Sequence, residues 1–237
     1  MTRLILALNV KDDREALKLL EQIGNQVDLY KIGIDLWTRT GPRLIEEFVA
    51  YGANVFLDLK FADIPSVVAN AVEAATELGV SMLTVHTMAG AGALYAATKA
   101  ARVAAEQMGK VKPVILGVTV LTSLDRQGLA QVTGCSQEVE NRVLSLAELA
   151  QSMGCDGVVA SPLEIKPIKK RCGQKFVVVT PGIRLATENL PGDDQMRVMT
   201  PNQAAVAGAD YIVVGRPIYA APDPVAVLRE VKAQLGG

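Results

Sequence analysis

Short apolar runs alternate with longer amphipathic stretches along the whole chain. The apolar runs are rich in Val, Ile and Leu and nearly continuous, which is typical of parallel strands covered on their outer face. Eight of them predict strands: "RLILALNV" (3–10), "LYKIGI" (29–34), "VFLDLK" (55–60), "MLTVH" (82–86), "VILGVTV" (114–120), "GVVAS" (157–161), "FVVVTP" (176–181) and "YIVVGR" (211–216).

The stretches between these runs predict helices. The clearest covers Ile64–Gly79, where apolar residues recur at the i, i+3, i+4, i+7 spacing and Gly79 supplies a stop. The other predicted helices lie at about 12–24, 40–51, 91–108, 137–153, 163–171, 202–208 and 223–235.

Eight strand-then-helix units in 237 residues indicate a closed (β/α)8 barrel. The alternative is a doubly wound open sheet, which normally carries a glycine-rich nucleotide fingerprint after its first strand. The corresponding residues here, "LNVKDD", contain no glycine. We therefore predict one α/β domain over residues 1–237, a TIM barrel with its active site at the C-terminal ends of the strands.

Composition and charge narrow the classes of function. The net charge of −1, with no long run of one sign, argues against nucleic acid or an anionic membrane surface as the main partner. The apolar runs are much shorter than the ~20 residues that span a bilayer, and the N-terminus does not resemble a signal peptide. Cys135, Cys155 and Cys172 are odd in number and lack metal-ligand spacing, so we expect reduced thiols and a cytoplasmic location.

Polar residues collect where the predicted strands end, which is where barrels of this kind carry their chemistry. They are Asn9, Lys31, Asp58, Lys60, Asp63, His86, Thr122, "TPGIR" (180–184) and "VGRP" (214–217). His86 is the only histidine, and we interpret it as a packed, hydrogen-bonded residue without a catalytic role. We therefore expect the functional side chains to lie at one pole of the barrel, the C-terminal ends of the strands.

The stretch "FLDLKFADIP" places an unusual charged cluster at this pole. Residues two apart in a strand face the same side, so Asp58 and Lys60 should point into the barrel together. A purely structural interpretation is also open, in which Asp58 and Lys60 form a buried ion pair and Asp63 caps the following helix. Buried pairs stabilise poorly, however, and Lys31 adds a second ammonium group. We therefore favour a network built for chemistry.

The last two strand ends predict a phosphate site. Barrels commonly bind phosphate with the loops after strands seven and eight. Gly182 and Gly215 let the backbone approach a ligand, and Arg216 offers a forked cation. The alternative is that both glycines are ordinary turn residues and Arg216 is solvated. The long segment 183–200 is either an irregular excursion or a lid that brings Arg184 or Gln195 to the substrate.

These motifs, in this order, resemble the orotidine 5′-phosphate decarboxylase family, which makes UMP from OMP. The resemblance rests on "LDLKFADIP" with its D-x-K-x-x-D pattern, "VTVLTS", "TPGIR", "DDQ…MTP" and "VGRPI", and it extends over essentially the whole chain. D-x-K-x-x-D alone is shared with metal-dependent enzymes acting on sugar phosphates. Those relatives typically carry a Glu where this chain has Lys31, so the resemblance is to the metal-free nucleotide enzyme, with no cofactor.

The resemblance implies roles for the charged residues. Lys60 would be the general acid that protonates C6 of the pyrimidine after carbon dioxide leaves. Asp58 would lie beside the departing carboxylate, and Lys31 would bond to Asp58 and the ribose hydroxyls. Asp63 would reach into the neighbouring subunit's site, which implies a homodimer.

The resemblance also implies a set of substrate-binding residues. Thr122 would lie near the pyrimidine and ribose, and Gln195, Gly215 and Arg216 would hold the phosphate. Arg184 belongs to the lid region. The implied partner is the small nucleotide OMP.

Two residues depart from the family pattern. Asn9 stands where the family usually has Asp. A carboxamide still accepts a hydrogen bond from a ribose hydroxyl but lacks the charge to pair with Lys31, so this change either weakens binding or is tolerated. "IPSV" replaces the usual "IPNT", so Val67 lacks a hydroxyl that would help to bind the ribose, and Ser66 is a possible substitute.

Two alternative functions remain open from sequence. The first is a metal-dependent lyase or epimerase acting on sugar phosphates. The second is a catalytically silent barrel that binds nucleotide and serves as a partner or regulator, and its support is Asn9.

Overall fold

The computed structural model describes residues 1–134, 136–185 and 198–236. Its eight strands are all parallel, each pairs with the next, and β8 pairs with β1 to close the barrel. The predicted (β/α)8 fold is therefore confirmed. The strands are β1 (Arg3–Leu8), β2 (Leu29–Gly33), β3 (Val55–Phe61), β4 (Met82–His86), β5 (Val114–Val118), β6 (Gly157–Val159), β7 (Val177–Thr180) and β8 (Tyr211–Val214).

Helices cover the outside of the barrel in the described part of the chain. They are α1 (Asp13–Ile23), α2 (Ile34–Thr40), α3 (Arg43–Tyr51), α4 (Pro65–Glu77), α5 (Ala91–Met108), α6 (Arg126–Thr133), α7 (Val139–Ser152), α8 (Ile165–Cys172), α9 (Pro201–Ala207), α10 (Arg216–Tyr219) and α11 (Pro224–Gln234). Short 3₁₀ turns lie at Gly24–Gln26, Thr87–Ala89 and Pro162–Glu164. No helix in the described ranges is both long and apolar enough to traverse a bilayer.

The predicted elements differ from the observed ones at some ends. The helix expected at 40–51 begins at Arg43, because Gly41 (φ 63°) ends the preceding helix and Pro42 precedes the next one. The sequence reading missed α2, α6 and α10, which are eight residues or fewer and too short for a clear helical period. Several strands also end one or two residues earlier than predicted.

Two apolar layers follow from the two faces of the strands. Alternate residues such as Ile5 and Ala7 of β1 and Phe56 of β3 fill the barrel interior, together with Val179 of β7 and Val213 of β8. The remaining strand faces pack against the helices in one larger core. The strands are covered on both sides, and this explains why their sequences read as continuous apolar runs.

An ionic cluster ties several elements together at the N-terminal end of the barrel. Lys169 of α8 is 6% exposed, and its ammonium donates to Asp210 Oδ2 at 2.6 Å and to the carbonyls of Gln174 and Phe176. The same Asp210 oxygen accepts from the Val178 N–H at 2.7 Å. This carboxylate therefore ties α8 and β7 to the start of β8.

We expect Asp210→Ala to destabilise the fold by about 3 kcal/mol, because it leaves the buried Lys169 ammonium without its counter-charge. Urea unfolding followed by circular dichroism measures the change. The matched control is Asp35→Ala, which breaks an exposed i,i+4 pair with Arg39 and should cost about 0.5 kcal/mol or less. Equal losses in the two variants would contradict the role assigned to Asp210.

Candidate active site

A cavity of about 390 Å³ opens at the C-terminal ends of the strands. It brings together most of the residues singled out from the sequence: Asn9, Lys31, Asp58, Lys60, Thr122, Arg184, Gly215 and Arg216 all line it. Gln195 lies outside the described residues. The roles of these side chains remain predictions, whereas their common location is a feature of the structure.

The period of the strands explains why these side chains converge. Leu29 of β2 and Phe56 of β3 point into the barrel core. Lys31 and Asp58 lie two residues further along the same strands and therefore face the same interior, one layer nearer the open end. Gly215 follows Val213 of β8 in the same way. The apolar interior thus passes directly into a polar rim.

The Asp58 carboxylate lies between two ammonium groups. Its Oδ1 accepts from Lys60 Nζ at 3.0 Å, and its Oδ2 lies 3.3 Å from Lys31 Nζ. The side chains of Asp58 and Lys31 are each 13% exposed, while that of Lys60 is 37% exposed. Lys60 is therefore the member of the trio that is most open to a ligand in the cavity.

Electrostatics keeps this carboxylate ionised. Burial by itself would raise the pKa of Asp58 because it removes water from the charged form. The charges of Lys31 and Lys60, with hydrogen bonds from Lys60 and Thr84, outweigh burial and bring the Asp58 pKa below its usual value. An ionised carboxylate therefore lies 3.0 Å from Lys60 Nζ.

The backbone at Lys60 departs from the simple strand assumed from the sequence. Lys60 has φ 52°, the one positive value among non-glycine residues in the described part of the chain. The register between β3 and β4 shifts between Leu57 and Phe61, so β3 carries extra residues at this point. Asp58 and Lys60 do meet, but through a bulge rather than through plain alternation.

Thr84 of β4 is a residue that the sequence reading missed. It is fully buried, and its hydroxyl donates to Asp58 Oδ1 at 3.0 Å. The Thr84 hydroxyl oxygen also accepts from the Lys60 N–H at 2.9 Å. The sequence does not indicate these hydrogen bonds, because threonine is common in strands. Only the register shift brings it beneath the bulge.

His86 ends β4 and is half-buried. Its Nδ1 accepts from the Met88 N–H at 3.3 Å, which caps the short turn that follows. It does not line the cavity. Burial, followed by the nearby Lys60 charge, lowers the pKa of His86 below its ordinary value, which favours the neutral ring.

We expect His86 to report on the charge of Lys60. As the only histidine, it gives a single imidazole signal whose titration can be followed by NMR. In the wild type it should titrate below pH 6.5, and in Lys60→Ala its pKa should rise because one of the two lowering causes is gone. An unchanged midpoint would mean that the Lys60 ammonium does not lie near the ring. Lys175→Ala, at an exposed position preceding β7, is the control.

The opposite wall of the cavity is built for close backbone approach. Gly182 has φ 76°, a value that favours glycine. Gly215 lies against β1, where an added Cβ would come within 3.3 Å of Ala7 Cβ. Arg216 begins α10 directly after Gly215 and is exposed at the cavity rim.

The predicted lid segment 183–200 is largely outside the described residues. Its two ends are joined: Arg184 N–H donates to Met199 O at 3.0 Å, and Met199 N–H donates to Gly182 O at 3.2 Å. Arg184 Nη1 donates to the Ile183 carbonyl at 2.8 Å. Arg184 is thereby held at the cavity edge.

Three predicted site residues do not line this cavity. Asp63, Ser66 and Val67 are exposed at the start of α4. Asp63 is not the helix cap considered from the sequence: the N-cap is Ile64, and Asp63 Oδ1 accepts from the Ile64 N–H at the adjacent position. Asp63 is therefore exposed and lies outside the cavity lining.

The site offers a metal ion little. No group of three or more His, Cys, Asp or Glu side chains suited to a metal occurs among residues 1–134, 136–185 and 198–236. The carboxylate at the centre of the cavity is already matched by two ammonium groups, which repel cations. The fold and the site together define a (β/α)8-barrel enzyme with a charged cavity at the C-terminal ends of its strands.

Comparison with known proteins identifies the particular family. Residues 2–231 match the model of the orotidine 5′-phosphate decarboxylase / HUMPS family, and the chain belongs to this family. It is 46% identical to the orotidine 5′-phosphate decarboxylase of Moorella thermoacetica, over 98% of this chain and 92% of that one. It is 44% identical to the enzyme of the same name from Neisseria meningitidis serogroup A, over 97% of this chain and 91% of that one.

A solved structure agrees in fold. The chain superposes on orotidine 5′-phosphate decarboxylase from Lactobacillus acidophilus with a TM-score of 0.88 at 34% identity, covering all of both chains. The resemblance seen in the sequence motifs is therefore confirmed.

Proposed function

We propose that this chain converts OMP to UMP and carbon dioxide by metal-free electrostatic catalysis centred on Lys60. The activity follows from the family and its full-length relatives: the chain is a carboxy-lyase of de novo pyrimidine biosynthesis. The single observation that supports the mechanism is the Asp58 carboxylate held between Lys60 and Lys31 in the lining of the cavity.

The chemistry needs a fixed positive charge. When the C6–carboxylate bond breaks, carbon dioxide leaves and the electron pair remains on C6 of the pyrimidine, where resonance stabilises it little. An ammonium group already held in place stabilises that charge without reorganisation. Lys60 then transfers a proton to C6, which gives UMP, and the neutral amine regains a proton from water.

The neighbours of Lys60 prepare it for both steps. Asp58 aims the ammonium through the 3.0 Å contact. Lys31, held by the other oxygen of the same carboxylate, is free to offer its remaining N–H groups to the ribose hydroxyls. Asn9, at the rim beside them, can accept a hydrogen bond from the ribose.

The far wall of the cavity suits the phosphate. Gly215 and the guanidinium of Arg216 lie at the loop after β8, the usual phosphate position in barrels. In the proposal Gln195 joins them, Thr122 lies near the pyrimidine and ribose, and Arg184 closes the edge. Binding energy from this remote group can organise the reacting end.

The protein is also proposed to act as a homodimer in which Asp63 completes the partner's site. Asp63 faces outward rather than into its own cavity. The segments that follow three neighbouring strands, β2, β3 and β4, expose large apolar side chains: Ile34 (64% exposed), Ile64 (63%), Val67 (46%) and Met88 (48%). A two-fold contact through this face would bury them and carry Asp63, Ser66 and Val67 to the other cavity.

Mixing two inactive variants tests the shared site. We expect Lys60→Ala and Asp63→Ala to be nearly inactive separately. Refolded together, a mixed dimer has one cavity with both Lys60 and Asp63, so random pairing should restore about one quarter of wild-type activity. Light scattering should give the mass of two chains. A mixture no more active than its components would overturn the shared site.

Cytoplasmic location is part of the proposal. Cys155 and Cys172 are buried free thiols, and burial raises the pKa of Cys155 to about 12. A protonated, buried thiol reacts slowly, as suits a reducing compartment. Cys135 lies outside the described residues.

The decisive assay follows OMP loss by absorbance, with and without excess EDTA. The proposal expects full turnover after chelation, because Lys60 rather than a metal ion stabilises the carbanion. Activity abolished by EDTA and restored by Mg²⁺ would favour a metal-dependent enzyme acting on sugar phosphates.

A further inference from the structure

The bulge in β3 interrupts the pairing with β4 at Lys60, and the hydroxyl of Thr84 bonds to the backbone there. Between the pairs Leu57↔Leu83 and Phe61↔Val85, β3 has three residues and β4 has only Thr84. Lys60 is one of the β3 residues that have no paired residue on β4, and its left-handed φ of 52° is a conformation that non-glycine residues rarely adopt. Such a conformation persists only where its surroundings hold it.

The Thr84 hydroxyl supplies the missing partner. It accepts from the Lys60 N–H at 2.9 Å and donates its own proton to Asp58 Oδ1 at 3.0 Å. The same Asp58 oxygen accepts from Lys60 Nζ at 3.0 Å. One buried oxygen thus joins the backbone of Lys60, the carboxylate of Asp58 and, through it, the ammonium of Lys60.

We propose that Thr84 is a positioning residue that sets the aim of the Lys60 ammonium by fixing both the bulge and the Asp58 carboxylate. The proposal rests on the proposed function, in which Lys60 stabilises and then protonates the carbanion. Thr84 does not line the cavity and touches no substrate. Its effect should appear in the chemical step and leave phosphate-anchored binding nearly unchanged.

The geometry explains why a hydroxyl is required. Valine has nearly the same shape but can neither accept from the Lys60 N–H nor donate to Asp58. Released from this contact, residue 60 can relax toward ordinary extended backbone, which turns its side chain away from Asp58. Serine keeps the hydroxyl and should preserve the aim. A misplacement of about 1 Å at a reacting group can cost about 100-fold in rate.

The test compares Thr84→Val and Thr84→Ser with Thr76→Val. Thr76 is also buried and donates its hydroxyl proton to the Val72 carbonyl within α4, so its variant controls for the loss of a buried hydroxyl. We expect Thr84→Val to lower kcat for OMP by about 10- to 100-fold, with the Kd for UMP changed less than about threefold. Thr84→Ser should recover most of kcat, and Thr76→Val should keep it.

A second readout is independent of turnover. The His86 pKa, measured by NMR, should rise in Thr84→Val, because the Lys60 charge moves away, and should return in Thr84→Ser. A kcat within twofold of wild type, a serine variant as slow as the valine variant, or UMP affinity falling as much as kcat would each overturn the proposal. If wild-type protein failed to decarboxylate OMP, the proposed function would fall, and the His86 titration would still decide whether Thr84 positions Lys60.

Discussion

Replacing Lys60 with alanine is expected to lower kcat for OMP by about 10⁴-fold or more. Lys60 is assigned two tasks, and each has a typical magnitude: a preorganised charge at the developing anion contributes about 10²–10³-fold, and a positioned general acid about 10²–10⁴-fold. The two are not independent, so their product is an upper bound. Stopped assays at high enzyme concentration reach the residual rate.

The variant should nevertheless fold and bind nucleotide. Lys60 is at the rim, 37% exposed, and its loss leaves Asp58 paired with Lys31 at 3.3 Å. We expect the Kd for UMP to change by less than about tenfold, because the residues proposed to bind the phosphate are unchanged. A tenfold change in Kd corresponds to about 1.4 kcal/mol of binding free energy. Lys175→Ala, an exposed charge deletion before β7, should leave both constants unchanged.

This pair of measurements also separates the enzyme from the silent barrel considered above. A binding module has no turnover to lose, so wild type and Lys60→Ala would bind UMP alike and neither would consume OMP. Loss of affinity in parallel with loss of rate would instead assign Lys60 to binding alone. The expected result is a large change in rate with a small change in affinity.

The architecture was readable from the sequence because the barrel imposes one pattern eight times. Apolar runs such as "VILGV" are covered on both faces, and polar residues appear where each strand reaches the open end. Lys31 and Asp58 were predictable as neighbours because simple alternation continues the inward rows begun by Leu29 and Phe56. These inferences use only the side-chain periods of a strand, two residues, and of a helix, 3.6 residues.

The features of the site that could not be predicted from the sequence depend on the register between strands. Nothing in "DLKF" indicates that Lys60 takes a left-handed conformation, and the shift is visible only in the pairing of Phe61 with Val85. Thr84 escaped for the same reason, since its partners are 24 and 26 residues away in sequence. Such contacts are fixed by tertiary packing, and a local sequence pattern carries no information about them.

Asp63 marks another limit of reasoning from one chain. Its place in the D-x-K-x-x-D motif suggested a position with the other charges, yet its side chain is exposed and outside the cavity. The resemblance supplied the idea of a partner's site, and the apolar side chains around Asp63, including Ile64 and Val67, give that idea a surface. A periodicity argument contains no information on a second copy.

Replacing Arg216 with alanine is expected to lower kcat/KM for OMP by about 10³-fold. A guanidinium on a phosphate forms paired, charge-assisted hydrogen bonds, which are about twice as strong as neutral ones. Removing it costs about 4 kcal/mol when the anion is left in a partly desolvated site, since contacts with charged groups that lose their partner cost 2–5 kcal/mol or more. Steady-state kinetics with OMP measures the loss.

The loss should depend on the phosphate itself. With orotidine, the nucleoside that lacks phosphate, wild type and Arg216→Ala should react equally slowly, because Arg216 then has nothing to bind. The difference between the two substrates in each variant forms a double-mutant cycle that isolates the pair. Arg229→Ala, a charge deletion on the exposed side of α11, serves as the control and should change neither substrate.

The cycle also decides whether the remote grip serves rate as well as affinity. If phosphate binding organises the charged end, Arg216→Ala should lower kcat in addition to raising KM, because energy released at Gly215 and Arg216 no longer holds the site in its reactive form. A rise in KM with kcat unchanged would mean uniform binding. Orotidine reacting as well as OMP in the wild type would remove the phosphate from the mechanism altogether, and with it the reason for a cavity lined by both Arg216 and Lys60.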